Sequence, residues 1–260
     1  MKKILLVEGN LKEANQEFTE NGIKTHTESL KESISYYTNN LEIDSVNPSS
    51  DKDIFDKVKD LNKYEGLIWG GSSLNIYSDT KEIRKQIEFM KECQKRIKNI
   101  LAICWGMQVA VTAAGGVVNR GKNGAHRGIA HEIIINSDGL NHPIYKDKDK
   151  IFNTPAFNYD EVVTLPKNAI LLSSNKVNNV MALNFETEFS KIWGIQYHPE
   201  ITYEKMITLI KFRRKRLLEN KSFLDEKDLE SHITMIENED KITKKESRMR
   251  ELKNWLDLIA

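Results

Sequence analysis

The feature that most constrains this chain is an apolar run that ends in a cysteine and continues as a helical pattern. Asn99–Ile103 is almost entirely aliphatic, Cys104 follows at once, and the helical pattern begins at Met107. A side chain at such a turn faces unsatisfied helix N–H groups, which favour a thiolate. Gly106 is expected to allow the sharp turn and to leave space above the sulfur. The pattern therefore predicts a nucleophile elbow with Cys104 as the nucleophile.

A second apolar run ends in the two groups that a thiol nucleophile needs. Trp193–Tyr197 leads directly into His198, and the carboxylate of Glu200 follows two residues later. A histidine acts as the base, and a carboxylate orients its ring. Together with Cys104 these residues predict a Cys-His-Glu hydrolytic site. The other cysteine, Cys93, lies on a charged helical pattern without such neighbours and is interpreted as structural.

A pair of glycines follows a third apolar run. Gly66–Trp69 reads as a short buried strand, and Gly70 and Gly71 come directly after it. Glycines allow backbone N–H groups to approach a ligand closely. We expect this glycine pair to supply the second N–H of an oxyanion hole, beside that of Trp105, the residue after the nucleophile.

Apolar runs and helical patterns alternate along the first half of the chain. The runs predicted as buried strands are Lys3–Val7, Leu41–Val46, Gly66–Trp69 and Asn99–Ile103. The helical patterns are Leu11–Glu20, Leu30–Tyr37, Asp51–Leu61, Thr80–Lys98 and Met107–Ala114. This alternation predicts an α/β fold with a mostly parallel central sheet flanked by helices. Shorter runs between residues 115 and 184 predict a partly antiparallel extension before the last strand, Lys191–Tyr197.

Length and charge limit the remaining possibilities. With 260 residues, one catalytic domain over residues 1–203 and a helical C-terminal extension over residues 204–260 are expected. A formal charge of +1 gives no argument for nucleic acid or a membrane as partner. Two cysteines and no long apolar segment favour a reducing, cytoplasmic location. His26, His131, His142 and His232 lack metal-ligand spacing, so neither a metal nor a cofactor is expected.

The extension carries one apolar stripe per helical segment. The apolar residues are Leu217, Leu218, Phe223, Leu224, Trp255 and Leu256. Such stripes pack either on their own domain or on a partner, including a second copy in a homodimer. We expect packing on the same chain, because an amphipathic stripe is typical of any surface helix.

These motifs resemble those of the class I, or triad-type, glutamine amidotransferases. The matching segments, in family order, are Gly70-Gly71, Ile103–Gln108, Gly115–Val118, Asn158–Val162 and Gly194–Glu200. The chain is similar to a stand-alone subgroup that resembles the amidotransferase domain of GMP synthase. In that subgroup the extension ends in a Glu-x-x-Asn-Trp-Leu pattern, which is Glu251–Leu256 in this chain. The resemblance implies a flavodoxin-like fold.

The resemblance also implies a reaction. Cys104 would attack the glutamine side-chain amide, His198 would move the proton, and Glu200 would orient the imidazole. A glutamyl thioester would then be hydrolysed, with ammonia passing to an acceptor activated by a separate ATP-dependent synthetase subunit. The residues that the resemblance assigns to oxyanion and substrate binding are Gly71 and Trp105, and Gly70, Gln108, His126, Asn158 and Tyr159.

Two departures from the family pattern leave the substrate open. His126-Arg127-Gly128 stands where the family often has a glutamate before a glycine, and Asn158-Tyr159-Asp160 replaces a Ser/His-Gly/Ser-Asp pattern. A γ-glutamyl hydrolase acting on a γ-glutamyl conjugate is therefore the main alternative. A non-catalytic regulatory subunit is a further alternative, which the intact Cys104, His198 and Glu200 disfavour.

Overall fold

A computed structural model of the chain describes residues 2–57 and 59–259. Its strands are β1 Lys2–Val7, β2 Leu41–Val46, β3 Gly66–Trp69, β4 Asn99–Ile103, β5 Val117–Arg120, β6 His126–Arg127, β7 Ala130–Ile135, β8 Ile151–Thr154, β9 Phe157–Asn158, β10 Asp160–Thr164, β11 Ile170–Ser174, β12 Ala182–Glu186 and β13 Lys191–Ile195. Its α-helices are α1 Lys12–Glu20, α2 His26–Tyr37, α3 Ile54–Lys57, α4 Lys81–Gln94, α5 Trp105–Ala113, α6 Ser137–Asn141, α7 Tyr203–Phe212, α8 Arg214–Glu219, α9 Glu226–Ile242, α10 Lys245–Arg248 and α11 Arg250–Ile259. Over the described ranges, none of these helices combines the length and apolar character that a bilayer crossing requires.

The central sheet has nine strands in the order β2-β1-β3-β4-β13-β12-β11-β7-β8. The first five are mutually parallel, and the last four extend the sheet in antiparallel pairs. This arrangement confirms the predicted α/β fold. Strands β4 and β13 are neighbours, with Ile195 opposite Ile103. The residues that follow these two strands, Cys104 and Gln196–His198, therefore meet at one edge of the sheet.

The two faces of the parallel strands belong to two separate apolar clusters. In β1, Leu5 and Val7 pack on the side of α4 and α5, whereas Ile4 and Leu6 pack on the side of α2 and α11. Successive strand residues point to opposite faces, so a strand covered on both sides must be apolar throughout. This explains the uninterrupted aliphatic runs in the sequence.

The C-terminal helices pack on the same chain, α11 on the central sheet and α7–α9 mainly on one another. Trp255 is fully buried, and its ring packs directly on Gly66. A Cβ at Gly66 would lie only 2.7 Å from the ring. Leu217, in α8, belongs to an apolar cluster that also contains Ile129 of the sheet region. Leu224 was expected to be buried, but 94% of its surface is exposed. It lies in the turn before α9, where no helical face directs it inward.

Three predicted helices differ in extent by four residues or more, and one of them is α4, which ends at Gln94 where the pattern predicted Lys98. The pattern predicted over Asp51–Leu61 forms only α3 and a short 3₁₀ turn at Leu61–Lys63, and Val58 lies outside the described residues. Phe55 is 47% exposed, so this segment has little apolar face to stabilise a longer helix. Helix α2 starts at His26, four residues before the predicted start at Leu30, because Thr25 and Glu28 form a capping box.

Candidate active site

Cys104 occupies a strained turn between β4 and α5. Its backbone has φ 53° and ψ −104°, a conformation that non-glycine residues rarely adopt, and its N–H donates to the carbonyl of Ile195 at 2.7 Å. The turn is therefore made at the cysteine itself. Gly106 has a different role from the expected one, because a Cβ there would lie 2.3 Å from the carbonyl oxygen of Trp69. The glycine lets α5 pack directly against the end of β3.

His198 and Glu200 form a buried pair beside the sulfur. The imidazole Nδ1 lies 2.8 Å from Glu200 Oε1, which leaves Nε2 for Cys104. Burial opposes charge on both side chains, but the Glu200 carboxylate and the Cys104 sulfur outweigh it and raise the pKa of His198 to about 10. The same imidazole lowers the pKa of the Glu200 carboxyl despite its burial. The arrangement favours a protonated imidazole next to the thiol.

Gln196 is a neighbour of the sulfur that the sequence analysis did not assign. Its side-chain Nε2 lies 3.4 Å from Cys104 Sγ, and its Oε1 accepts from Gln108 Nε2 at 3.3 Å. The sequence contains one signal for Gln196: it lies two residues before His198, just past the end of a buried strand. Gln108 thus contacts the cysteine's neighbour as well as lining a pocket.

His26 lies against the catalytic candidates, although the sequence interpretation set it apart. Its ring stacks on that of His198 with 5.4 Å between centroids and an interplanar angle of 21°. Burial, together with the neighbouring His198, lowers the pKa of His26 to about 3, so the ring is neutral. Glu8 holds the start of α2 by accepting from the N–H and the hydroxyl of Thr27, both at 3.0 Å.

The same three side chains have the spacing of a metal site. His26, His198 and Glu200 each place one ligand atom within 4.8 Å of the others. Two of the available atoms, His198 Nδ1 and Glu200 Oε1, already bond to each other. This hydrogen bond fits a base and its orienter better than it fits two metal ligands.

The glycine pair lies directly opposite the cysteine turn. A Cβ on Gly71 would stand 2.5 Å from His26 Cε1 and 2.8 Å from His198 Cε1, so only glycine fits there. Gly70 does not contact a pocket but accepts from the Gly106 N–H at 3.2 Å and so fixes the glycine pair to α5. Trp105 is the first residue of α5, where N–H groups have no partner within the helix. This geometry is compatible with the expected oxyanion hole.

Two pockets meet at Cys104. The first, here called the apolar pocket, has a volume of about 140 Å³ and includes His26 and His198. Its apolar walls are Phe18, Ile23, Phe157, Ile201, Met206 and Leu209. Its described lining also contains three cationic side chains and no carboxylate; the cations are Lys24, Lys205 and Arg213.

The second pocket, here called the polar pocket, also reaches Cys104, shares Ser72, Ser73, Phe157 and Arg213 with the first, and has a volume of about 70 Å³. It is lined by three predicted substrate-binding residues and by charged groups of both signs: Gln108, Asn158 and Tyr159, and Asp160, Arg213 and Arg216. His126, which was expected to shape the pocket, lies behind Asn158 with its Nδ1 2.8 Å from Asn158 Oδ1. It therefore does not line the pocket itself but bonds to a residue that does.

Arg213 lies at the boundary between the two pockets and lines both. Its guanidinium donates to the Ser73 hydroxyl at 2.9 Å and lies over the ring of Phe157, 4.8 Å from the centroid. Within the described residues it forms no ion pair with a carboxylate. Burial, with the nearby Arg216, lowers the pKa of Arg213 to about 10, which leaves it charged at neutral pH. In the sequence, the only feature that singled out Arg213 was its place in the basic run of residues 211–216.

Comparison with known proteins places this geometry in a family context. The family model described as glutamine amidotransferase class-I matches residues 23–214. A solved structure of a glutamine amidotransferase from Thermotoga maritima superposes with a TM-score of 0.68 at 18% identity, covering 99% of this chain and 97% of that one. At this identity the superposition shows a common fold, and it includes the C-terminal helices.

Two curated relatives have names that refer to γ-glutamyl substrates. A gamma-glutamyl-L-1-hydroxyisopropylamide hydrolase from a Pseudomonas species is 30% identical over 63% of this chain and 56% of its own length. Gamma-glutamyl peptidase 4 of Arabidopsis thaliana is 31% identical over 60% of this chain and 61% of its own length. The matched region thus spans less than two thirds of either relative.

Proposed function

The chain belongs to the class I glutamine amidotransferase family, and we propose that within it this protein is a γ-glutamyl amide hydrolase that acts through a Cys104 thioester. The observation that carries the proposal is the pair of pockets that meet at Cys104. Ammonia, the leaving group from glutamine, needs no pocket of its own. An amine with a substituent does need one, and the apolar pocket offers it on the side of His198.

The proposed reaction uses the site residues in two steps. The Cys104 thiolate attacks the γ-carbonyl carbon, and the oxyanion binds the N–H groups of Gly71 and Trp105. His198 then donates the proton on Nε2 to the amine nitrogen as the carbon–nitrogen bond breaks, which leaves a γ-glutamyl thioester. In the second step His198 takes a proton from water, the hydroxide attacks the thioester, and the sulfur and glutamate separate. Glu200 orients the imidazole throughout.

The charges of the two pockets support a separate role for each pocket, one for each end of the substrate. The polar pocket holds Asp160 for an α-ammonium group and Arg216 for an α-carboxylate, so it suits the amino-acid end of a γ-glutamyl group. The apolar pocket combines apolar walls with cations. Two of its cations, Lys24 and Lys205, are paired with Glu32 at 3.0 and 2.7 Å, whereas Arg213 forms no ion pair with a carboxylate of the described residues. The preferred amine is therefore apolar and carries a carboxylate.

A matched substrate panel tests the proposal. The purified chain is assayed with glutamine, γ-glutamyl-phenylalanine and γ-glutamyl-phenethylamide, which shares the ring but lacks the carboxylate. We expect kcat/KM for γ-glutamyl-phenylalanine to exceed that for glutamine by more than about tenfold, or 1.4 kcal/mol in transition-state stabilisation. The phenethylamide is expected between them. Hydrolysis of glutamine faster than of both conjugates would reject the proposal.

Glutamine hydrolysis in support of an amidotransferase is the second candidate function. Family membership favours it, and glutamine is the smallest γ-glutamyl amide that the polar pocket would hold. In this case ammonia would pass to a separate ATP-dependent synthetase subunit. Glutamine turnover that rises at least about tenfold when a synthetase and its ATP and acceptor are added would favour this candidate.

A further inference from the structure

The turn that carries Glu200 is held by side chains from two other elements. The carbonyls of Pro199 and Ile201, one on each side of Glu200, both accept hydrogen bonds from Nη1 of Arg248, the second at 2.9 Å. The Glu200 carbonyl accepts from the hydroxyl of Ser33 at 3.1 Å. Three consecutive carbonyls are thus fixed by Arg248 of α10 and Ser33 of α2.

These bonds are protected from water. Arg248 is 6% exposed and Ser33 is also 6% exposed. A hydrogen bond that a charged group makes in a buried place is stronger than a neutral one, and loss of the donor leaves carbonyls without partners. The turn therefore has one strongly preferred position while α10 is docked.

A second contact ties the same C-terminal segment to the residue before His198. The hydroxyl of Tyr197 donates to Glu251 Oε1 at 2.8 Å, and the other oxygen of Glu251 pairs with Lys148 Nζ at 3.1 Å. The Lys148 and Glu251 side chains are 1% and 0% exposed. Residues 248 and 251 thus hold the chain on both sides of the His198–Glu200 turn.

We propose that Arg248 and Ser33 are positioning residues that set the Glu200 carboxylate against His198. The inference rests on the proposed roles of His198 and Glu200. Glu200 meets His198 Nδ1 at 2.8 Å through Oε1, while the described structure offers no hydrogen-bond partner to Oε2. The carboxylate is thus aimed mainly by its backbone. A displacement of about 1 Å in such a group costs about 100-fold in rate.

The test measures the reactivity of Cys104 with iodoacetamide at neutral pH, which requires no knowledge of the substrate. Arg248→Met should lower the alkylation rate at least about tenfold, because a mispositioned imidazole no longer supports the thiolate. Arg248→Lys keeps a cation that can donate to both carbonyls and should restore most of the rate. Lys253→Met, which removes a half-buried cation from the same segment, is the matched control and should alkylate like the wild type.

Steady-state kinetics on the best γ-glutamyl substrate add a second readout, in which Arg248→Met should lower kcat with KM nearly unchanged. Folded Arg248→Met protein with wild-type alkylation would overturn the proposal. If that variant does not fold, Ser33→Ala decides, since it removes only the bond to the Glu200 carbonyl. An alkylation rate lowered about threefold or more supports the proposal, and an unchanged rate contradicts it. A chain that shows the alkylation pattern but hydrolyses no γ-glutamyl compound would refute the proposed function alone.

Discussion

At the scale of single residues, the two cysteines show how surroundings separate reactive from structural thiols. Cys93 belongs to α4 and is fully buried in an apolar cluster. This burial raises the pKa of its thiol well above the ordinary value. Cys104 opens onto both pockets and lies beside a protonated imidazole. The same functional group is therefore inert at one position and available for attack at the other.

Selective labelling follows from this difference. A glutamine-like diazo-ketone should modify Cys104 in a one-to-one ratio and leave Cys93 unmodified, as mass spectrometry of tryptic peptides would show. Cys104→Ala should reduce hydrolysis at least about 1,000-fold while Tm changes by less than about 3 °C. Cys93→Ala is the matched control and should keep activity. Modification of Cys93 in the folded protein would contradict the site.

The sequence predicted the candidate site residues that stand at the ends of strands, and it missed the residues that the structure brings to the candidate site from elsewhere. Cys104, His198 and Glu200 were identifiable because each follows an apolar run in a recognisable pattern. His26 and Arg213 carry no such local signal. They enter the site through the start of α2 and the end of α7, and only the packing of those helices reveals it.

At the scale of elements, the strands were predictable because a strand covered on both faces must be aliphatic along its whole length. Strands β3 and β4 fit this rule, and they begin and end at the predicted residues. β2 also has the predicted bounds, but the prediction that it is buried on both faces was wrong, because it is an edge strand with polar residues and no fully buried side chain. Helix boundaries were less accurate, since they depend on capping and on tertiary contacts. The capping box at Thr25 and the short α3 are two examples.

The C-terminal helices yield a prediction about truncation. Removal of the chain after Tyr203 should lower Tm and cause aggregation, because α11 covers an apolar face of the sheet with Leu252, Trp255 and Leu256. Light scattering and calorimetry on full-length and truncated protein measure this. Leu224→Ser, at a site that is 94% exposed, is the control and should leave both unchanged. A truncated, active and monodisperse protein would mean that these helices serve a partner instead.

At the scale of the whole molecule, histidine burial makes stability depend on pH. His142 packs edge-on against Trp193 with 4.9 Å between ring centroids, and burial lowers its pKa from 6.5 to about 4. As the pH falls, the His142 imidazole is therefore protonated in the unfolded chain at a higher pH than in the folded chain. The stability that neutral His142 supplies is present above about pH 6.5 and declines as the pH falls toward about 4.

A single variant isolates this effect. Between about pH 7 and pH 5, His142 should account for about 1–2 kcal/mol of lost unfolding free energy. His142→Asn keeps an acceptor for the Ile144 N–H, which bonds to the histidine at 3.2 Å, and should show a flatter pH profile in urea denaturation. Parallel profiles for wild type and variant would show that His142 titrates normally in the folded protein.

The adjacency of β4 and β13 also has a kinetic consequence. The two strands lie far apart in the sequence, yet Ile103 stands opposite Ile195, and the Cys104 N–H bonds to the carbonyl of that residue. Closing so long a loop is slow, and pairings of this kind are formed late when a chain refolds. The sulfur therefore meets its imidazole only when that closure is complete. During refolding from urea, the return of rapid Cys104 alkylation should lag behind the recovery of helical circular dichroism, so that the thiol reports the completion of the sheet.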